Sequence, residues 1–217
     1  MNSPEIVTID GPAGAGKSTL AREIAKRFGY LHLDSGAVYR AIGYACKLKG
    51  VNLDDEGEVL KVAGNLKVEL KGSRVFLNGR DVTEAIRTPE GGILASKVAR
   101  FREVREVVVN LLRKMAEGKK VVIDGRDAGS YIFPKADLKI YLTASPEERA
   151  RRRFKELKEK GFNVSYEEVL KEVIERDESD RNRPFAPLTV PEGAVVIDTT
   201  GKSMEEVLEE VGKLIDP

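Results

Sequence analysis

The chain has 217 residues, enough to bury a sizeable hydrophobic centre in one core domain with insertions. Its 37 basic and 36 acidic side chains leave a net charge of +1, which supplies no general attraction to nucleic acid or a membrane surface, so neither partner is expected. The lone Cys46 excludes an internal disulfide, no apolar run is long enough for a signal peptide or a membrane span, and a cytoplasmic enzyme is expected.

The first element in chain order is the strand-like run Glu5 to Ile9. It is followed by Gly11, Pro12, Ala13, Gly14, Ala15, Gly16, Lys17, Ser18 and Thr19, which contain the phosphate-loop pattern G-x-x-x-x-G-K-[ST]. Glycines let successive backbone N–H groups turn inward around a β-phosphate, Lys17 neutralises the β/γ oxygens, and the Ser18 hydroxyl suits Mg2+. Leu20, Ala21, Ile24, Ala25 and Phe28 recur at helical spacing, so the loop opens onto a helix N-terminus, where partial positive charge favours anions. A nucleoside triphosphate is the expected ligand.

Further along, a helical pattern covers Ala37 to Lys49 and a longer one runs from about Ile93 to Met115. Between them Leu66, Val68 and Leu70 alternate with polar residues, Gly72-Ser73 turns, Val75 and Leu77 alternate again, and Asn78-Gly79 signals a type I′ hairpin. The spacing predicts a small antiparallel insertion over about 65–83, inside a substrate-holding lobe over 35–115. Residues 1–34 and 116–217 form the expected core. Strand-like runs there, Lys120 to Ile123, Leu138 to Leu142 and Val195 to Ile197, alternate with helices as in a parallel sheet covered on both faces. They end at Asp124, Thr143 and Asp198, as the first ends at Asp10, and ligands of such sheets collect at carboxyl ends of strands. Helix starts are marked by Ser145, Ser165 and Ser203, each with a glutamate three residues on, the capping-box pattern.

Four charged clusters stand out. In Asp34-Ser35-Gly36-Ala37-Val38-Tyr39-Arg40, Asp34 or Ser35 caps a helix, and Arg40 is either a ligand or a solvated arginine. Asp124-Gly125-Arg126-Asp127 follows a buried-looking strand, a placement that stability explains poorly. In the run Glu175 to Arg183, Arg176, Asp180 and Arg183 share one helix face; they present two guanidinium groups and a carboxylate to one ligand, or form a charged helix end. Arg149, Arg152 and Arg153 share a side of the helix opened by Ser145, with Arg151 pointing elsewhere. They form either a solvated face or a mobile segment that closes over phosphates and excludes water.

The combination of I-D-G-P-A-G-A-G-K-S-T, L-D-S-G-A-V-Y-R, D-G-R-D, F-P-K-A-D-L-K-I-Y-L-T-A-S and E-R-D-x-x-D-R-N-R resembles the bacterial-type cytidylate kinases, a branch of the nucleoside monophosphate kinases. The resemblance runs from Ile9 to about Ile197. It implies an α/β P-loop kinase fold, a monophosphate-binding lobe enlarged by the hairpin insertion, a short lid over about 145–163, and transfer of phosphate from ATP with Mg2+ to CMP or dCMP. By this resemblance the acceptor phosphate falls to Ser35, Arg40, Arg126 and Arg183. The cytosine edge falls to Ser96, Arg105 and Asp127, and the ribose to Arg176 and Asp180. Residues 11–19 bind ATP, with Arg152 and either Arg149 or Arg153 covering its phosphates. Ser18 holds Mg2+ directly and Asp124 through water. Lys17, Arg126, Arg152 and Arg183 are the expected catalytic groups, and a monomer is expected.

Departures from the family pattern are small. Ala128-Gly129-Ser130 stands where a larger aliphatic residue, glycine and threonine are expected, and His32, which precedes the D-S-G motif, reads as a strand residue rather than a catalyst. Positioning and electrostatics suffice for transfer to a monophosphate oxygen, so no general base is assigned, Asp10 included. Other readings stay open: a kinase for UMP, AMP or a small alcohol, and a P-loop switch that binds a partner in its triphosphate state.

Overall fold

The structure is a computed structural model that describes residues 3–216. A five-stranded sheet has the order β2-β6-β1-β7-β8, built from β1 (Ile6–Asp10), β2 (Leu31–Asp34), β6 (Val121–Gly125), β7 (Leu138–Thr143) and β8 (Val195–Asp198). Val7 lies opposite Leu138 in the parallel β1–β7 pair, and Ile140 opposite Val195 in the parallel β7–β8 pair. Central position decides burial: every residue of β6 and all but the first of β1 are enclosed, the polar Thr8, Asp10 and Asp124 among them. The α/β expectation holds, and β2 is an additional strand that carries His32, as that residue's strand reading required.

By packing, the chain separates into two compact units, one made of the residues up to Tyr30 with those from Val122 onward, the other of Leu31–Val121. In the first, helix α1 (Lys17–Phe28) turns Leu20, Ala21 and Ile24 inward, and helix α9 (Met204–Ile215) turns Val207, Leu208, Val211 and Ile215 inward. Both stripes share a core with Val7, Ile9, Ile140 and Leu142 of the sheet. Each fully buried aliphatic side chain there contributes about 1.5–3 kcal/mol of transfer free energy. Helices α7 (Pro146–Glu159) and α8 (Tyr166–Arg181) form a pair with a small core of their own, Ala150 and Leu157 against Val169 and Val173.

The second unit holds α2 (Ser35–Leu48), α3 (Glu56–Gly64), the single turn α4 (Thr83–Ile86), α5 (Pro89–Ala99) and α6 (Arg102–Ala116). It also carries an antiparallel meander, β3 (Val68–Lys71), β4 (Arg74–Leu77) and β5 (Arg80–Asp81). Asn78 and Gly79 both have positive φ, 49° and 82°, as a type I′ turn demands, and the Asn78 side chain accepts from the Lys67 N–H at 2.9 Å. Cys46 is buried on α2, where burial pushes its thiol up.

The single helix expected from Ile93 to Met115 is two. Phe101 is extended (φ −82°, ψ 125°) and breaks the run without glycine or proline; the fully buried Arg105 then donates to the Ala99 carbonyl at 3.0 Å, satisfying an end group of α5 that a continuous helix would have bonded internally. The capping boxes close at Ser165 and Ser203. At Ser145 only half forms: its hydroxyl accepts from the Glu148 N–H, while the Glu148 carboxylate turns instead to Arg151 and Arg152, a charge-assisted alternative to capping. Among the described residues no helix is long and apolar enough to cross a membrane.

Candidate active site

The loop from Gly11 to Gly16 joins the buried end of β1 to α1. It starts hard against β7: a Cβ on Gly11, whose φ is 146°, would lie 2.1 Å from the Leu142 carbonyl oxygen. Lys17 folds back to donate to the Pro12 carbonyl at 2.7 Å. Burial, and then the charge of Arg126, push its ammonium well below the ordinary lysine range, while Asp124, Asp180 and Asp10 pull the other way. A buried lysine and an arginine within each other's field favour an anion between them.

Ser18 donates to Asp124 at 2.5 Å, and Asp124 is almost wholly enclosed at the end of β6. A hydroxyl and a carboxylate in contact form a hard-oxygen pair of the kind that holds Mg2+ when phosphate and water oxygens complete the shell, so the residues fit that ion.

Asp10 has a different task. Its two oxygens accept from the Ala128 and Gly129 N–H groups at 2.6 and 2.7 Å, anchoring the π-type turn Ala128–Ile132 that follows Arg126 and Asp127. Burial pushes its carboxyl up to about 6 even though these two N–H groups hold it down; Asp127 raises it further and Lys17 opposes. The contact is too close for any side chain at Gly129, where a Cβ would meet the Thr8 hydroxyl at 2.6 Å and Asp10 at 3.1 Å. The glycine expected at 129 is thus the residue type that the space there requires.

Beyond that turn, Asp180 gathers three guanidinium groups. Arg126 Nε donates to it at 2.8 Å, Arg176 Nε at 3.2 Å, and Arg183 Nη1 stands 3.9 Å away. Burial alone would raise the Asp180 carboxyl; Arg126, Arg176 and Arg183 hold it below its usual range. Arg183 also donates to the Ala186 carbonyl. Three cations around one carboxylate leave net positive charge for an anionic ligand, with their geometry set in advance.

On α7 the four arginines part company. Arg149 is buried and spent on the protein: Nε donates to the Ala144 carbonyl at 2.9 Å, Nη1 to Ala13 at 3.1 Å, and the fork meets Asp177 at 2.6 and 3.0 Å. Arg152 donates to Thr199 at its hydroxyl and carbonyl, and the Thr199 hydroxyl lies 3.3 Å from the Ala15 carbonyl. Arg153 is half-buried beside Glu156, and Arg151 is exposed.

In the other unit, Asp34 rather than Ser35 caps α2, accepting from the Ala37 N–H at 2.8 Å; Ser35 is buried in the first turn and Arg40 is half-buried one turn on. Ser96 is half-buried on α5, and the Arg105 guanidinium lies 5.3 Å over the Tyr39 ring.

Asp177 and Thr199 escaped the sequence reading. Asp177 had a usable signal: Val169, Val173, Asp177 and Asp180 are spaced four, four and three apart, so the buried apolar stripe of α8 continues into two carboxylates. Charged residues on a core stripe need partners, and arginines on the preceding helix were the ones available. Thr199, beyond the end of β8, had none.

A sequence model of the family described as "Cytidylate kinase" matches residues 7–216. The chain is 51% identical over 209 residues to a protein named "Cytidylate kinase" from Caldanaerobacter subterraneus subsp. tengcongensis, covering 96% of this chain and 93% of that one. It is 47% identical over 206 residues to a "Cytidylate kinase" from Clostridioides difficile, covering 95% of each. Among solved structures it is similar to a gluconokinase from Sinorhizobium meliloti 1021, with a TM-score of 0.52 and 14% identity over 100% of this chain and 96% of that one, a likeness of fold alone.

Proposed function

The chain belongs to the cytidylate kinase family and is a P-loop kinase that phosphorylates nucleoside monophosphates from ATP; within that activity we propose that CMP and dCMP are its acceptors and that Mg2+ accompanies ATP. The observation that carries the reading is the pair of preset cations at neighbouring strand ends, Lys17 held by the loop carbonyl of Pro12 after β1 and Arg126 held by Asp180 after β6, which suit a donor and an acceptor phosphate. Lys17 and residues 11–19 hold the donor phosphates. Arg126 and Arg183, with Ser35 and Arg40, hold the acceptor phosphate, and Arg152 covers the transferring group with Arg153 beside it. Ser18 and, through water, Asp124 would hold Mg2+, which would supply charge neutralisation at the phosphate oxygens. Positioning and electrostatics then supply the acceleration, and no side chain has to remove a proton. Residues 35–115 serve as the monophosphate lobe, and residues 145–163 as the lid.

Base choice falls to Ser96, Arg105 and Asp127. Cytosine offers an amino donor at N4 and an acceptor at N3, which suit the Asp127 carboxylate and the Arg105 guanidinium; uracil reverses both groups and leaves two charges facing the wrong partners. That mismatch costs about 1–3 kcal/mol per group. ADP release measured against CMP, dCMP, UMP and AMP tests the reading, with CMP and dCMP expected to exceed UMP on the order of 100-fold in kcat/KM. Equal turnover of UMP and CMP removes the base-reading roles. ATP consumption that is slow and independent of any monophosphate favours the switch.

A further inference from the structure

Arg149 is a buried cation whose charge partner, Asp177, has no part in the chemistry above. The pair bridges α7 and α8, and the guanidinium has donors left over, one of which reaches the Ala13 carbonyl in the phosphate loop at 3.1 Å. In a planar trans peptide the carbonyl of one residue and the N–H of the next point in opposite directions. No cis peptide occurs among the described residues, so a carbonyl of Ala13 drawn toward Arg149 directs the Gly14 N–H away from it. A phosphate-binding loop works only while its N–H groups face the ligand and its carbonyls face elsewhere with partners of their own.

We infer that Asp177 is a positioning residue of the phosphate loop, acting through Arg149 to hold the 13–14 peptide in the orientation that receives ATP. The inference rests on the kinase reading. Bidentate pairing at 3.0 and 2.6 Å, with the Ala144 carbonyl at 2.9 Å on Nε, fixes the plane of the guanidinium and so the direction of its bond to Ala13. Removing the carboxylate leaves a buried cation that must turn toward whatever acceptor remains, and the loop carbonyl then loses its anchor.

The test compares the wild-type chain with Asp177→Asn, measuring the ATP KM at saturating CMP, the CMP KM at saturating ATP, the ATP dissociation constant without acceptor, and Tm. The ATP KM and dissociation constant are expected to rise about tenfold while the CMP KM stays within about twofold. Because Asp177 adjoins Arg176 and lies one turn from Asp180, simple distortion of α8 would raise the CMP constant instead, and that result overturns the inference. A lower Tm with both ATP constants unchanged overturns it too, leaving Asp177 as a structural ion pair. Should Asp177→Asn not fold, Arg149→Lys keeps a cation for Asp177 but cannot span Ala13 and Ala144 from one ammonium, and unchanged ATP binding in that variant is equally fatal. The acceptor-free ATP titration remains readable if the acceptor proves not to be CMP, so the two readings fail separately.

Discussion

Around the phosphate loop, Lys17, Asp10, Asp124, Asp177 and Asp180 are all buried, whereas Lys67 and Lys71 of the antiparallel meander stand in water on either side of Glu69. Both regions form short ion pairs. Hydrogen bonds from Lys67 and Lys71 hold the Glu69 carboxyl down to about 2, yet solvent screens these pairs and side-chain entropy opposes them. Near the loop each charge is desolvated and survives only because partners are fixed around it, which is expensive for a fold and valuable for a phosphate. The depth at which a charge sits, not the closeness of its partner, separates the two regions.

The sharpest way to break this contrast is Lys17→Ala. It should lower kcat by about three orders of magnitude or more while Tm changes little, because the ammonium is held against a loop carbonyl rather than packed into the core. Activity within tenfold of wild type would sink the phosphate-loop assignment. Arg126→Ala or Arg183→Ala should each remove charge-assisted bonds of about 1.5–3 kcal/mol and raise the monophosphate KM more than the ATP KM. A larger effect on ATP reverses their assignment.

Asp10 gives a smaller effect with a definite sign. The folded carboxyl keeps its proton up to a pH of about 6, the unfolded one only to about 3.9. Between those values the folded state binds more protons, so this contribution to stability is present below pH ~4 and is lost as pH rises through ~6. The stability of wild type relative to Asp10→Asn should therefore fall across that window, by about 3 kcal/mol, and level off above it. Urea titrations at several pH values check it, and a difference independent of pH rejects the assignment. Least of all, Glu69→Gln should leave both Tm and activity unchanged, for all the closeness of its lysines. A measurable loss there would mean that the meander's charges matter as the loop's do.

What was legible in the chain follows from where structure is set locally. Gly11 to Ser18 and Asn78-Gly79 announce themselves because their backbones demand particular residues, whatever surrounds them. The break at Phe101 was hidden because no glycine or proline marks it; a side-chain bond from Arg105 to the Ala99 carbonyl six residues back stabilises it. Strand β2 was faint, being four residues long and half polar. In the arginine set of α7, helical spacing told Arg151 from its neighbours but gave no sign that Arg149 turns inward to Asp177, a partner 28 residues away.

Cys46 has a practical consequence. With one thiol in the chain, buried and with its pKa raised, almost no thiolate is presented to an electrophile, so reagents aimed at sulfur should pass it by. The native protein is therefore a blank background for site-directed labelling. A cysteine placed at Lys155, whose side chain is 79% exposed on α7, gives a spectroscopic reporter on the proposed lid without first stripping the protein of its own sulfur.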